Sequence, residues 1–320
     1  MVPSGGVSCL SLMEEAPTNL ALPPDQGTCF GFQVHSAIPL HCLRDGEGSP
    51  LDVPVPREQV PTERLDPVSE WTEPPGQHAF ARLYRAGDRY WLWSAGAGWT
   101  LIEPEAPRIT LPLSGDPTLR EELVWTIPAA VCLLYRQDLV LHAGAVEVDG
   151  RALLLVAAGR AGKSTLVAAF AQAGYRVLSE DVSCLRLGAH PAVIPGPAMV
   201  RLRPDVLSHL ALPGARVLRE TASRLTLALD PRRRGTSNPL PLHSVLVLEP
   251  STDGFALERI PTAEAIRRLW SFTFRIPLDP WLAACFHQLA DLASRVPILT
   301  FTRPLRFEEL PATVEYLARG

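Results

Sequence analysis

Apolar and polar positions change their rhythm twice along the chain. Up to about residue 75 no apolar run lasts, because turn signals such as Pro23-Pro24, Asp45-Gly46 and Pro74-Pro75 interrupt each one. A period of two then begins: Phe80-Ala81-Arg82-Leu83-Tyr84 and Arg89-Tyr90-Trp91-Leu92-Trp93 flank Ala86-Gly87-Asp88, which predicts an aromatic-rich β-hairpin. Alternation continues through Trp99–Glu103 and Arg108–Leu113. The pattern predicts a flexible stretch over 1–25 and a small β-rich domain over 26–118. The five tryptophans from Trp71 to Trp125 read as hairpin and core packing rather than as a ligand cage.

Beyond that point the pattern is α/β. Leu119–Tyr135 has helical spacing and predicts a connecting helix, with Pro128 inside it. Leu139–Val148 and Ala152–Ala157 read as apolar strands joined by the two-residue turn Asp149-Gly150. The second strand runs into Gly159-Arg160-Ala161-Gly162-Lys163-Ser164-Thr165, and an alanine-rich helix over Leu166–Ala173 follows, stopped by Gly174. A short strand from Arg176 returns beside the loop by a right-handed crossover and ends in Glu180-Asp181. Helices over Thr262–Phe274 and Pro280–Arg295, a strand over Ile298–Thr302 and a last helix from Phe307 read as scaffold, so residues 119–320 are expected to form one α/β domain.

Composition narrows the setting. The chain has 320 residues, 47% of them hydrophobic, enough for a sizeable core. A formal charge of -4 gives no basic footprint for nucleic acid, and no apolar run has the length of a membrane span. The first basic residue is Arg44, so the N-terminus lacks the positive segment of a secretory signal, and a cytoplasmic location is expected. Cys9, Cys29, Cys42, Cys132, Cys184 and Cys285 are scattered without a C-x-x-C pair, which fits reduced thiols. One imbalance changes the picture more than these. Of 30 basic residues, all but Lys163 are arginine. A compact ammonium suits a phosphate loop better than a planar fork does.

Strand, glycine loop and helix are the context in which backbone N–H groups and a helix dipole meet an anion. Gly159, Arg160, Ala161, Gly162, Lys163, Ser164 and Thr165 are the candidate nucleotide-binding residues, with Gly162 allowing close approach, Lys163 reaching the β and γ phosphates and Ser164 holding Mg²⁺. The pattern G-x-x-x-x-G-K-[ST] puts glycine where this chain has Ala157, and Gly159 is the candidate source of the missing flexibility. Mg²⁺ and a hydroxyl nucleophile both call for carboxylates, and Glu180-Asp181 supply two. Neighbours on a strand point to opposite faces, so one is expected to reach the metal and the other to face elsewhere. His142, in Leu141-His142-Ala143-Gly144-Ala145, reads equally as a core histidine and as a catalytic one. Arg232-Arg233-Arg234 before Gly235 reads either as a mobile basic loop or as an exposed linker.

Taken together, Leu141-His142-Ala143-Gly144, Gly162-Lys163-Ser164-Thr165 and Gly174-Tyr175-Arg176-Val177-Leu178-Ser179-Glu180-Asp181 resemble the catalytic domain of HPr kinase/phosphorylase, and more closely its relatives encoded beside peptide-modification genes. The resemblance is densest over residues 139–190. It implies a P-loop fold of the HPr kinase/phosphoenolpyruvate carboxykinase type, with ATP and Mg²⁺ as cofactors and a serine-type hydroxyl on a peptide or small protein as acceptor, a modified-peptide precursor among the candidates. It gives His142 an active-site place, Glu180 that of the base, and Asp181 with Ser164 the metal side. Arg201 and Arg203 fall where related kinases carry basic residues, and are either phosphate-neutralising or part of a solvated strand face. The downstream glycine- and arginine-containing segments of the HPr enzymes are not recognisable here, so HPr itself and phosphorolysis are not expected. A nucleotide-binding recruitment module and a small-molecule kinase are the alternatives, and the sequence leaves a homo-oligomer open.

Overall fold

The computed structural model describes residues 26–72, 78–114, 116–234 and 237–319. The expected flexible stretch 1–25, with Cys9 and Pro23-Pro24, lies outside these, as do Pro74-Pro75 and Gly235-Thr236. The chain is a mixed α/β protein. Its first sheet is built from β1 (Gln26–Cys29), β2 (Phe32–Ser36), β3 (Ser49–Val53), β4 (Asp66–Thr72), β5 (Ala79–Ala86), β6 (Arg89–Ser94), β7 (Gly98–Glu103) and β8 (Arg108–Thr110), in the order β1-β2-β3-β8-β7-β6-β5-β4. The expected hairpin is β5–β6, with Ala86 paired to Arg89 and Gly87 at φ +63° in the turn. Trp91 and Trp125 are buried, and Trp71 stacks on Phe274.

The single helix expected over 119–135 is two: α1 (Arg120–Val124) and α2 (Ile127–Tyr135). Thr126 leaves helical geometry between them, and Pro128 sits in the first turn of α2, where a missing N–H costs nothing. The apolar core of the first sheet passes through α2 and continues into Val140, Cys184, Ile194, Met199 and Ile276.

The second sheet contains β9 (Leu139–Leu141), β10 (Ala143–Val148) and β11 (Arg151–Ala157), followed by α3 (Lys163–Ala173), β12 (Arg176–Ser179), β13 (Ser183–Leu187) and β14 (Pro191–Ile194). A small antiparallel sheet of β15 (Met199–Leu202), β16 (Arg216–Glu220) and β17 (Leu225–Ala228) interrupts it. β18 (Leu240–Pro250), β19 (Ala256–Arg259), α4 (Thr262–Trp270), α5 (Asp279–Arg295), β20 (Ile298–Arg303) and α6 (Leu310–Ala318) complete it. The order β12-β10-β11-β18 continues to β20 on one side of β18 and to β14-β13-β9 at its N-terminal end. β11, β18 and β20 are parallel.

Continuous apolar runs in β11 and β18 follow from burial on both faces. Leu153, Leu155 and Ala157 pack with α3 and α6, whereas Ala152, Leu154 and Val156 pack with α4 and α5. The β10–β11 turn has φ +49° at Asp149 and +73° at Gly150, the doubly left-handed geometry of a two-residue hairpin. One expectation changes. The strand expected over 139–148 breaks at His142, where the chain leaves its ladder with β13 for one with β11 and β12. β12 ends beside the loop, one strand removed from β11, because β10, folded back by the hairpin, holds the edge between them.

Gly144 is where α3 comes closest to the sheet: a Cβ there would lie 2.5 Å from Val167 Cγ2. Gly144→Ala is therefore expected to destabilise the protein by about 1–3 kcal/mol in urea unfolding, and Val167→Ala in the same chain should restore most of the loss. A neutral Gly144→Ala would refute the close approach.

Candidate functional site

The site begins where β11 stops. Ala157, the residue in the first glycine position of the loop pattern, is still a strand residue, paired with Leu248 and buried. The reversal comes later, and Gly159 does not make it: its φ is not left-handed and the space around it is open. Arg160 at φ +68° and Gly162 at φ +79° turn the chain instead. Gly162 caps α3 without a side-chain bond, so the first N–H groups of the helix point outward unclaimed by a cap. Val167, Phe170 and Ala171 anchor the helix in the core, and Gly174 at φ +108° ends it. Arg233 Nη1 donates to Gly174 O at 2.8 Å and Arg234 Nε to Leu229 O at 3.0 Å, so these arginines are tied to backbone carbonyls.

Lys163, the first residue of α3, folds its stem across Gly144 and is 7% exposed. Its Nζ lies 3.5 Å from Glu180 Oε1 and 3.8 Å from Asp181 Oδ1. Ser164 Oγ donates to Glu180 Oε1 at 2.5 Å. Strand alternation predicts that neighbouring carboxylates diverge, yet these two converge. They lie past the end of β12, and Asp181 takes φ +71°, which swings its side chain back toward the loop.

Arg201, in β15, bridges both carboxylates. Its guanidinium pairs closely with Asp181, and its Nε is 3.7 Å from Glu180 Oε2. Arg203 does not join them. β15 ends at Leu202, the chain turns into a short 3-10 helix, and Arg203 pairs with Asp205 in the open. Ser179, buried beneath the carboxylates, shares a hydrogen bond with Ser183 at 2.6 Å.

His142 occupies the break between β9 and β10, where its N–H donates to Phe272 O at 2.6 Å. Its side chain is 52% exposed, and Nδ1 sits 3.0 Å from Asp181 O. A carbonyl only accepts, so Nδ1 carries the proton and Nε2 presents a lone pair. Surrounding protein, then the Lys163 charge, lower its pKa to about 4, with Arg201 and Arg224 adding to the effect and Glu180 opposing it. Burial would raise Glu180, but Lys163, Arg201 and the Ser164 hydroxyl outweigh it and hold the carboxyl below its ordinary value. Lys163 is lowered by burial, partly offset by Glu180.

Two contributors were not anticipated from sequence. Arg224 precedes β17, two residues before Thr226, which pairs with Arg201, so it falls on Arg201's side of that sheet. Arg303, at the end of β20, is buried under the loop and donates from Nη2 to Gly162 O at 3.2 Å. An arginine closing an apolar strand parallel to β18 was the available signal.

Among the described residues no cluster of three or more metal-ligating His, Cys, Asp or Glu side chains occurs, and no helix is long and apolar enough to cross a membrane. Cys29, Cys42, Cys132, Cys184 and Cys285 are buried free thiols. No family model and no curated protein matches the chain. Among solved structures, it is similar to the Hpr(Ser) kinase/phosphatase from Coxiella burnetii at 13% identity and a TM-score of 0.30, covering 56% of this chain and 93% of that one.

A histidine NMR titration checks the electrostatics. His142 should titrate well below its ordinary 6.5, and Lys163→Met should move it upward. Between those two pH limits the unfolded chain takes up a proton that the folded chain refuses, so stability falls as pH drops through the window, and His142→Gln should flatten that fall. A His142 that titrates near 6.5 would refute the arrangement.

Proposed function

We propose that the chain is an ATP- and Mg²⁺-dependent kinase that transfers the γ-phosphoryl group to a serine-type hydroxyl on a peptide or small protein. The observation that carries this reading is a buried lysine at the head of a helix, facing two carboxylates one of which holds the adjacent serine hydroxyl. Lys163, Arg201, Arg224 and Arg303 set four positive charges in or around a site with two negative ones. Such a surplus suits a polyanion.

Mg²⁺ fits the donor set. Glu180 Oε2 is buried with no hydrogen-bond partner, beside a serine hydroxyl, and Mg²⁺ takes one or two carboxylates with water and phosphate oxygens. Ser164 and Glu180 would hold it, and when bound it supplies charge neutralisation between the phosphates. The resemblance gives Glu180 the part of base and Asp181 the metal side; the distances favour the exchange. Glu180 has a 1% exposed side chain and its Oε1 already accepts the Ser164 hydroxyl, which leaves it no open approach for a second hydroxyl. Asp181 is 24% exposed and faces His142, on the side from which a hydroxyl would arrive.

The chain's own residues then divide the work. Lys163 and the N–H groups opening α3 bind and orient the terminal phosphates, and Arg201 and Arg224 neutralise charge on the group in transfer. Asp181 accepts the hydroxyl proton as oxygen bonds to the γ-phosphorus and the bond to the bridging oxygen breaks. Arg201, paired to Asp181, holds that carboxylate in place until then. His142, 3.0 Å through Nδ1 from the Asp181 carbonyl and 3.2 Å from Asp181 Oδ1, orients that carboxylate.

Incubation with ATP, Mg²⁺ and candidate peptides, followed by mass spectrometry, should give a product heavier by one phosphoryl group. Lys163→Ala should lower turnover by about a hundredfold or more. Asp181→Asn should lower kcat by about a hundredfold with the Mg²⁺ requirement unchanged, while Glu180→Gln should raise the Mg²⁺ concentration needed. Nucleotide binding without transfer to any acceptor would sink the kinase reading in favour of a recruitment module.

A further inference from the structure

Arg303 is 2% exposed, and among the described residues no carboxylate pairs with it. Its guanidinium donates from Nη1 to Pro304 O and from Nη2 to Gly162 O, each at 3.2 Å, while the buried Nε has no hydrogen-bond partner among the described residues. Burial alone lowers its pKa; no neighbouring carboxylate raises it. A buried charge is ordinarily matched by an opposite one or fully hydrogen-bonded, because desolvation costs several kcal/mol per ion.

A purely mechanical role explains this poorly. Gly162 O already accepts the Leu166 N–H at 2.9 Å, so it does not need the arginine. Arg44 offers a contrast: also buried without a carboxylate, it spends Nε and Nη2 on the carbonyls of Gly196, Val177 and Leu178, where the chain needs a clasp. Arg303 is pressed against the phosphate loop so tightly that any Cβ at position 162 would come within 2.5 Å of Nη2.

We infer that Arg303 is a positioning residue whose counter-charge is the phosphate held on the other side of the loop. It seats Gly162 and projects a buried positive field through one layer of backbone into the anion site. This rests on the phosphate-binding reading of the loop. Because the field crosses little water, it acts at strength that salt does not readily screen.

Isothermal titration with inorganic pyrophosphate tests the inference alongside urea unfolding of the free protein. Arg303→Met should bind pyrophosphate roughly tenfold more weakly than the parent, and Arg303→Lys, which keeps the charge, should lie much closer to it. The free Arg303→Met protein should be as stable as the parent or more so, since a lone buried cation has been replaced by an apolar chain of similar length. A mechanical strut would give the opposite pair, lower stability and unchanged affinity. Pyrophosphate affinity within twofold of the parent in Arg303→Met, with binding lost in Lys163→Met, overturns the inference and leaves the loop's function standing. Equal binding by the parent and Lys163→Met, or none by the parent, brings down the phosphate-site reading itself. Should Arg303→Met not fold, Arg303→Gln against Arg303→Lys decides the matter, and equal affinities overturn it.

Discussion

A lysine ammonium and a glutamate carboxylate face one another at 3.5 Å with almost no access to water, and the neighbouring structure is arranged so that both can remain charged there. Neither ion is tolerable alone at that depth. Their attraction fixes the first residue of α3 against the end of β12, across the intervening β10. The approach is possible because β10 offers Gly144 where any larger residue would strike Val167. Once the pair is fixed, the serine following the lysine falls within hydrogen-bond reach of the same carboxylate. Arg201 is then drawn from a separate sheet to balance the second acid.

The pair also ties the first sheet to the site. Arg44, whose pKa burial lowers to about 10, donates to the carbonyls of Val177 and Leu178 in β12, the strand that delivers Glu180 and Asp181. Glu121 in α1 receives the Cys42 N–H at 2.8 Å and His41 at 3.0 Å, so the loop bearing Arg44 is itself held by the helix that follows the first sheet. A displacement of that loop would therefore be felt at the end of β12 before it was felt at the loop that opens α3.

Elements with strong local signals were legible in the sequence. The β5–β6 and β10–β11 hairpins follow from two-residue turns between alternating strands, and α3 from an alanine-rich run closed by Gly174. What was not legible depended on a single dihedral or on distant partners. Alternation placed Glu180 and Asp181 on opposite faces, which holds only inside a strand; one left-handed residue past its end brings them together. Gly159 looked like the flexible point because it is glycine, yet Arg160 adopts the left-handed turn. The helix over 119–135 is divided at Thr126, and Pro128, in the first turn of α2, was the signal for a second helix start. Arg303 lies far along the chain and meets the loop only because β20 lies parallel to β18 in the same sheet as β11.

The one lysine in an otherwise arginine-only set of cations has a geometric explanation. Arg201 and Lys163 serve the same two carboxylates, but in different ways. The arginine's planar fork spans Glu180 and Asp181 from one side, a task that needs two donors held apart. The lysine arrives from the other side along a stem that must lie flat over Gly144, and a second fork would compete for the same acceptors and crowd the helix start. A single tetrahedral ammonium at 3.5 and 3.8 Å from the two acids keeps donor capacity for a ligand, because neither contact is short. A site that both stores its negative charge against cations and presents positive charge outward needs one cation of each shape. At this position substitution by arginine would preserve the charge and lose that arrangement.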